Sequence, residues 1–519
     1  MASTAFGMAT PYVNGAAKEI ADGVGAALNT TFSAAELVSE WIPGSRIIFR
    51  YVRASHQNDP FRTLLEILLV VFMFWYFGRK QQKPGFNDLE LTPKEVQELI
   101  DEWEPEPLVP PLTDFQKTEL EKLPIIAGPA GPKPKLADGK ERINLSSYNF
   151  LGIMNQESIK EKAVEALRKY GVGSCGPPGF YGTIDVHMDL ERGLAKFVGT
   201  ESAIIYSQGF STVASVIPAF SKRGDLLIVD DGVSFATQKG VQISRSVVKY
   251  FKHNDMADLE RVLEQVRLDD AKSKKKLLNR RFIVVEGLYL NHGDICPLPE
   301  LIALKEKYKY RIMMEESFSF GVLGKRGAGI SDHYDVPANK IDILIGSMTG
   351  ALASSGGFCC GTKEVVEHQR LSGQAYTFSA SLPAMLAVAA IEGLNILEKE
   401  PAILTRLREN ASVIHSTLNK NLHPDAEVYP REEASPIAHL RLRLQCSREE
   451  QERLLQDVVD EAARNGVLVS RAKYVTDQEL HPPQASIRLV ASAGHTRKET
   501  EKAATVVRDA ARKVLKSRK

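Results

Sequence analysis

Hydrophobic positions follow two rhythms along this chain, and each predicts a different element. Short runs apolar at nearly every position recur at SAIIY (202–206), LLIVD (226–230), FIVVE (282–286), RIMME (311–315) and DILIG (342–346). A run apolar throughout reads as a strand covered on both faces, and the helix-like stretches between the runs serve as crossovers. The pattern therefore predicts one large α/β domain with a mostly parallel sheet. The segment SIKEKAVEALRKYG (158–171) has the helical rhythm, with Ile159, Ala163, Ala166, Leu167 and Tyr170 on one face. Arg168 and Lys169 lie in its last turn and Gly171 stops it. After Pro383 helices prevail, while HLRLRL (439–444) and ASIRLV (485–490) read as strands, which predicts a smaller α+β lobe. No internal repeat is visible.

The first 140 residues differ. LLEILLVVFMFWYF (64–77) is apolar except for Glu66, and Trp75, Tyr76, Arg79, Lys80 and Lys83 close it as an interfacial belt would. This predicts one transmembrane helix over 61–80, with a buried core helix as the alternative. The start MASTAFGMAT lacks a basic n-region, so the helix is an uncleaved anchor. Arginines before it and basic residues after it leave its orientation open. Phe32 to Val52, with Trp41, Ile47, Ile48, Phe49 and Tyr51 among arginines, reads as an interfacial segment. Eight prolines between Glu104 and Pro134 predict an extended connector without helix. The organisation is then 1–60 N-terminal and partly interfacial, 61–80 spanning, 81–140 Pro-rich linker, 141–384 large domain and 385–519 small domain.

Composition narrows the chemistry. Across 519 residues, 66 Lys and Arg stand against 65 Asp and Glu, which removes the electrostatic footprint of a nucleic-acid binder. Cys175, Cys296, Cys359, Cys360 and Cys446 are odd in number and form no C-x-x-C pair, which argues against a disulfide framework or zinc site and suits a reducing compartment. The eleven histidines show no H-x-x-x-H spacing, so no metal site is expected. Cys359 and Cys360, beside GGF, are expected to be buried on a strand.

GVGSCGPPGFYG (171–182) matches neither a P-loop nor a dinucleotide fingerprint. In order, that turn, YSQGF (206–210), EGLYLNHGDICPLPEL (286–301), EESFSFGVLGKRGAG (315–329), GSMTGALASSGGFCCG (346–361), FSASLPA (378–384) and IRLVASAGHT (487–496) resemble the α-oxoamine synthase family over about residues 140–519. Members of that family are fold-type I pyridoxal phosphate (PLP) enzymes that condense an amino acid with an acyl-CoA. GFYGTIDVH (179–187) and HQRLSGQAYTFSASLP (368–383) narrow the resemblance to its long-chain-base branch.

The resemblance implies a fold-type I PLP-transferase domain followed by the small lobe. PLP chemistry needs a lysine to anchor the cofactor, an acid at the pyridine nitrogen and groups around the ring. Here Gly350 stands at the lysine position, Glu315 and Phe318 at the Asp and His positions, and Ser234 at the ring-stacking His position. Lys325 and Lys363 lie outside the motif; an active site rebuilt around Lys239 or Lys363 is the alternative. The implied reading is a chain without catalytic residues. It would pair with a homologous catalytic subunit that binds PLP covalently, as a heterodimer or a dimer of heterodimers.

Residues facing the partner's active site would include Cys175, Gly176, Tyr181, Ser372, Ser379 and Ser381; alternatively Cys175 is a packed hydrophobe and the serines cap helices. Arg488 matches the family's substrate-carboxylate arginine, here a relic, and Pro178 replaces a family arginine. A small activating subunit, ORM-type membrane regulators and membrane lipid complete the implied partners, at the endoplasmic reticulum membrane with the main domain cytosolic. An active homodimeric acyltransferase and a membrane scaffold are the competing functions.

Overall fold

All five apolar runs become strands in the computed structural model, which describes residues 60–78, 91–272, 279–431 and 435–518 and four isolated positions before them. The chain divides into two units, Met1–Pro110 and Pro111–Lys519. The second holds β1 (Ile143–Asn144), β2 (Ser202–Tyr206), β3 (Leu226–Asp230), β4 (Val247–Phe251), β5 (Arg281–Glu286), β6 (Arg311–Glu315), β7 (Ile343–Ser347) and β8 (Gly357–Gly361). It continues with β9 (Ala426–Tyr429), β10 (Ile437–Leu442), β11 (Val467–Leu468), β12 (Ser470–Arg471) and β13 (Ser486–Val490).

Seven strands form the main sheet in the order β2-β8-β7-β6-β5-β3-β4. From β4 to β7 all pairings are parallel, and only β8 runs against its neighbours β7 and β2. β3, β7 and β8 are buried at every position, as unbroken apolar runs require. Phe320 packs edge-on against Phe197 and Phe358, with ring centroids 5.8 and 4.7 Å apart. β4 escaped the pattern because only Phe251 of VVKYF is buried on this edge strand.

The expected smaller lobe is an antiparallel sheet, β12-β13-β10-β9, with helices Ala402–Asn419, Arg448–Arg464 and Arg497–Ser517. The parallel pair β1-β11 ties the start of the body to this lobe. The helix expected at 158–171 spans Glu157–Tyr170, with Ile159 and Ala166 buried and Gly171 closing it at φ 80°.

Two expectations are corrected. The proline-rich connector contains a helix, Asp114–Glu121, because the stretch between Pro111 and Pro124 is proline-free and Thr113 opens a capping box. The Thr113 hydroxyl accepts the Gln116 N–H at 3.3 Å, and the Gln116 side chain accepts the Thr113 N–H at 2.9 Å. This helix is clamped to the small lobe. Phe115 lies between the guanidinium groups of Arg453 and Arg471, at 5.6 and 5.3 Å, while Glu119 pairs with Arg471 at 2.7 Å and with Lys473.

The second correction concerns the membrane span. The run forms helix Pro60–Gly78, but among the described residues no helix is long and apolar enough to cross a membrane. Nineteen residues extend about 28 Å at the α-helical rise, just under the hydrocarbon thickness, and Arg62 and Glu66 lie within them. The buried-core alternative is not found either, since Leu68 to Phe77 are exposed. The interfacial segment expected over 32–52 falls, but for three residues, outside the described ones.

Arg471 is 4% exposed at its side chain, so removing its Glu119 partner leaves a buried cation with fewer acceptors. Glu119→Ala is expected to lower unfolding free energy by about 2 kcal/mol in urea titration and to open Lys117 and Lys122 to trypsin. Unchanged stability and unchanged cleavage would refute the clamp.

Candidate functional site

In an open parallel sheet the loops that follow the strands meet at their C-terminal ends, and ligands gather there. Glu286 ends β5 and Glu315 ends β6, directly paired in register. Both are buried. One oxygen of Glu286 accepts the Ser234 N–H at 2.7 Å and the Thr237 hydroxyl at 2.9 Å; one oxygen of Glu315 accepts the Ser317 N–H at 2.9 Å. The second oxygen of each has no partner among the described residues. Glu316, next in sequence, accepts from Ser319 at 2.6 Å and from the Ile330 N–H at 2.8 Å. Burial, then the neighbouring Glu286, pushes Glu315 up to about 8; burial pushes Glu316 up to about 7 and raises Glu286. Near neutrality the cluster therefore holds protons.

Gly350, Phe318 and Arg488 converge on one residue that the sequence reading passed over, Tyr148. The Phe318 ring meets Tyr148 edge-on at 5.0 Å, and the Arg488 guanidinium donates to the Tyr148 hydroxyl. A Cβ placed on Gly350 would lie 3.3 Å from both the Phe150 ring and the Tyr148 carbonyl oxygen. Arg488 sits on β13 opposite His439, whose pKa burial and then Arg488 hold far below its ordinary value.

The loop that carries Ser234 is fixed from below. His253 joins Asp230, at 2.8 Å, to Asp294, at 2.9 Å. Burial pushes its pKa down, but the two carboxylates outweigh burial and hold it at about 10, so both ring nitrogens donate. His292 stacks on that imidazolium at 3.9 Å and is pushed down to about 3 by burial and the adjacent charge. Tyr289 and Tyr429 donate hydroxyls to Asp230 and Asp294 at 3.0 and 3.2 Å, which binds the small lobe into the network.

The remaining expected residues form a second group. Cys175 and Tyr181 hold left-handed backbone, at φ 53° and 60°, in a turn where Phe180 and Tyr181 stand in solvent. Cys175 is exposed, so it is not the packed hydrophobe of the alternative reading. Ser379 and Ser381 line a cavity of about 190 Å³ with Thr183, His187, Arg370 and Tyr376. Neither caps a helix; the N-cap positions nearby are Gly373 and Pro383. Gly176 reaches the same place, its carbonyl accepting the Ser381 N–H at 3.0 Å. Ser372 ends helix Lys363–Ser372 and stays outside the cavity. Cys359 and Cys360 are buried on β8, as expected.

A larger groove, about 800 Å³, opens at the N-terminal ends of β5, β6 and β7 and contains none of these residues. Its Arg280, Arg311, Glu201, Asp342 and Glu364 mix both signs of charge, and Glu286, Glu315 and Ser347 lie at the opposite ends of the same strands.

Tyr148, Glu286 and His187 were missed. The strand position of Glu286, last in an apolar run and in the same place as Glu315, was the available signal. Tyr148 left none, and His187, although it ends the GFYGTIDVH run, works through bonds to Ile184 and to distant Leu382 that the run does not reveal.

The aminotransferase class I and II family matches residues 140–507. Long chain base biosynthesis protein 1b of Oryza sativa subsp. japonica is 44% identical over 456 residues, 87% of this chain and 92% of that protein. Serine palmitoyltransferase 1 of Dictyostelium discoideum is 43% identical over 459 residues, 87% of this chain and 94% of that one. A solved Sphingomonas wittichii serine palmitoyltransferase superposes with a TM-score of 0.68 at 23% identity, covering 78% of this chain and 98% of its own, and shows the shared fold. The expected fold-type I architecture is the one found.

The carboxyl cluster makes a pH prediction. Folding raises Glu315 and Glu316 above their ordinary 4.5, so their contribution is full below that value and is lost as pH rises through about 7 and 8. Glu315→Gln removes the charge that must otherwise be buried. Its thermal midpoint is expected to exceed wild type at pH 8.5, with the gap narrowing by pH 6. A gap independent of pH would refute the assignment.

Proposed function

This chain belongs to the aminotransferase class I and II family, among the proteins named long chain base biosynthesis protein 1 and serine palmitoyltransferase 1, and from that premise we propose that it is the lysine-less, non-catalytic subunit of a serine palmitoyltransferase. Its homologous catalytic partner carries pyridoxal phosphate covalently. Together they condense L-serine with palmitoyl-CoA to 3-ketodihydrosphingosine, releasing CoA and carbon dioxide, as the first step of sphingolipid synthesis.

The observation that carries this reading is the state of this chain's own strand-end pocket. Position 350 offers no amine, and a side chain there would start against Phe150 and Tyr148 at 3.3 Å. Phe318, at the position of the family's histidine, packs edge-on against Tyr148 and offers no hydrogen-bonding group to a ring hydroxyl. These residues do not suit a covalently held cofactor. The family scaffold is kept while the groups that react are gone.

What remains is a rim suited to a partner. Phe180, Tyr181 and Phe378 are 73%, 102% and 81% exposed, which is costly apolar surface unless another subunit covers it. Beside them, the Cys175–Gly176 turn and Ser379 and Ser381 present small groups and hydroxyls that a neighbouring active site can approach closely. The chain thus orients the partner's substrates and excludes water, while the partner performs the proton and bond chemistry. In helix Pro60–Gly78, exposed Leu68 to Phe77 suit contact with lipid. They hold the assembly at the endoplasmic reticulum membrane with its main body cytosolic, where a small activating subunit and ORM-type regulators join it.

Purified alone, the tagged chain is expected to be colourless and inactive; co-purified with the catalytic subunit it gains both cofactor absorbance and condensation activity. Borohydride reduction should fix the cofactor to a lysine of the partner. Cofactor trapped on Lys239, Lys325 or Lys363, or activity without a partner, would establish the homodimeric enzyme instead.

A further inference from the structure

We propose that His187 is a positioning residue: it holds the glycine turn 174–184 and the segment 379–382, the two parts of this chain that face the partner's active site, at a fixed separation. The inference rests on the heteromeric reading above and adds to it the group that sets the rim's geometry.

His187 is 4% exposed and sits in the first turn of helix Asp185–Val198, which Leu190 and Leu194 anchor in the core. Its Nδ1 accepts the Ile184 N–H at 3.1 Å. That fixes the tautomer, so Nε2 carries the proton and donates to the Leu382 carbonyl oxygen at 2.6 Å. One side chain on a rigid helix thus joins two segments 195 residues apart.

The other contacts between these segments depend on small groups. The Ser381 N–H donates to the Gly176 carbonyl at 3.0 Å, and the Ser174 hydroxyl donates to the Ser381 carbonyl at 2.9 Å. A Cβ on Gly182 would fall 2.0 Å from the Gly176 carbonyl oxygen and 2.6 Å from the Ser381 hydroxyl. The rim is therefore packed backbone against backbone, with its large side chains, Phe180, Tyr181 and Phe378, turned to solvent. Leu382 and Ile184 each pack on the core, and His187 is the buried side chain that hydrogen-bonds both and so sets the distance between the two halves. The Ser381 hydroxyl is buried with no partner among the described residues, beside the cavity that His187 also lines. A shift of the Leu382 carbonyl moves that hydroxyl directly.

The test uses the complex co-expressed with the catalytic subunit. His187→Leu keeps bulk and loses both bonds; His187→Gln spans the same two partners. His187→Leu is expected to lower kcat/KM at least tenfold, mainly through KM, in a complex that still assembles. His187→Gln should stay within threefold of wild type, and Gly182→Ala should reproduce the leucine effect. Wild-type kinetics for His187→Leu in an assembled complex would overturn the proposal. If the leucine variant does not assemble, His187→Asn decides: asparagine reaches only the Ile184 N–H, so it should be tenfold worse than glutamine, and equal values would overturn the assignment. Full activity of the partner without this chain would instead overturn the heteromeric reading.

Discussion

Burial of the seven-stranded sheet on both faces governs the rest of this structure. Parallel neighbours cannot be joined by tight hairpins, so between β3 and β7 helices carry the chain back and successive loops emerge at the same ends of the strands. Glu286, Glu315 and Ser347 are consequently the last residues of neighbouring strands, and the side chains that follow them share one small volume. Two carboxyl groups held there in register are pushed toward the neutral form, by burial first and, for Glu315, by the neighbouring Glu286.

Elements whose pattern comes from full burial were readable from sequence alone. The runs at 202–206, 226–230 and 311–315 match observed strands residue for residue, and the run at 342–346 is displaced by one. β4 was not readable because Lys249 interrupts its run, as suits an edge strand in which three residues are half-buried and Val247 is exposed. The helix Asp114–Glu121 was hidden by averaging proline density over thirty residues, although its own stretch contains no proline and starts with a capping threonine. Helix Pro60–Gly78 lies where hydropathy placed it, but as a surface of exposed apolar side chains short of a full span.

The site divides in the same way. Positions 234, 315, 318 and 350 were found through motif order, and the fold gathers them around Glu286 and Tyr148. Tyr148 lies in no motif and Glu286 merely opens one, EGLYLNHGDICPLPEL: their importance comes from tertiary neighbours, such as Arg488, which lies 340 residues along the chain from Tyr148. Likewise Ser379, Ser381 and Gly176 were recognisable as small groups near a glycine turn, but Ser372 was not distinguishable from them until the helix Lys363–Ser372 turned it away.

The clamp on helix Asp114–Glu121 has a mechanical meaning. Phe115 is gripped by two guanidinium groups and Glu119 by Arg471 and Lys473, so the chain is fastened before it enters the main body. Any pull on residues upstream of this point is delivered first to β12, the edge strand of the smaller sheet, and to helix Arg448–Arg464. It is placed as strain relief is on a cable: a load arriving along the chain from upstream meets ion pairs that can re-form before it meets the strand-end loops.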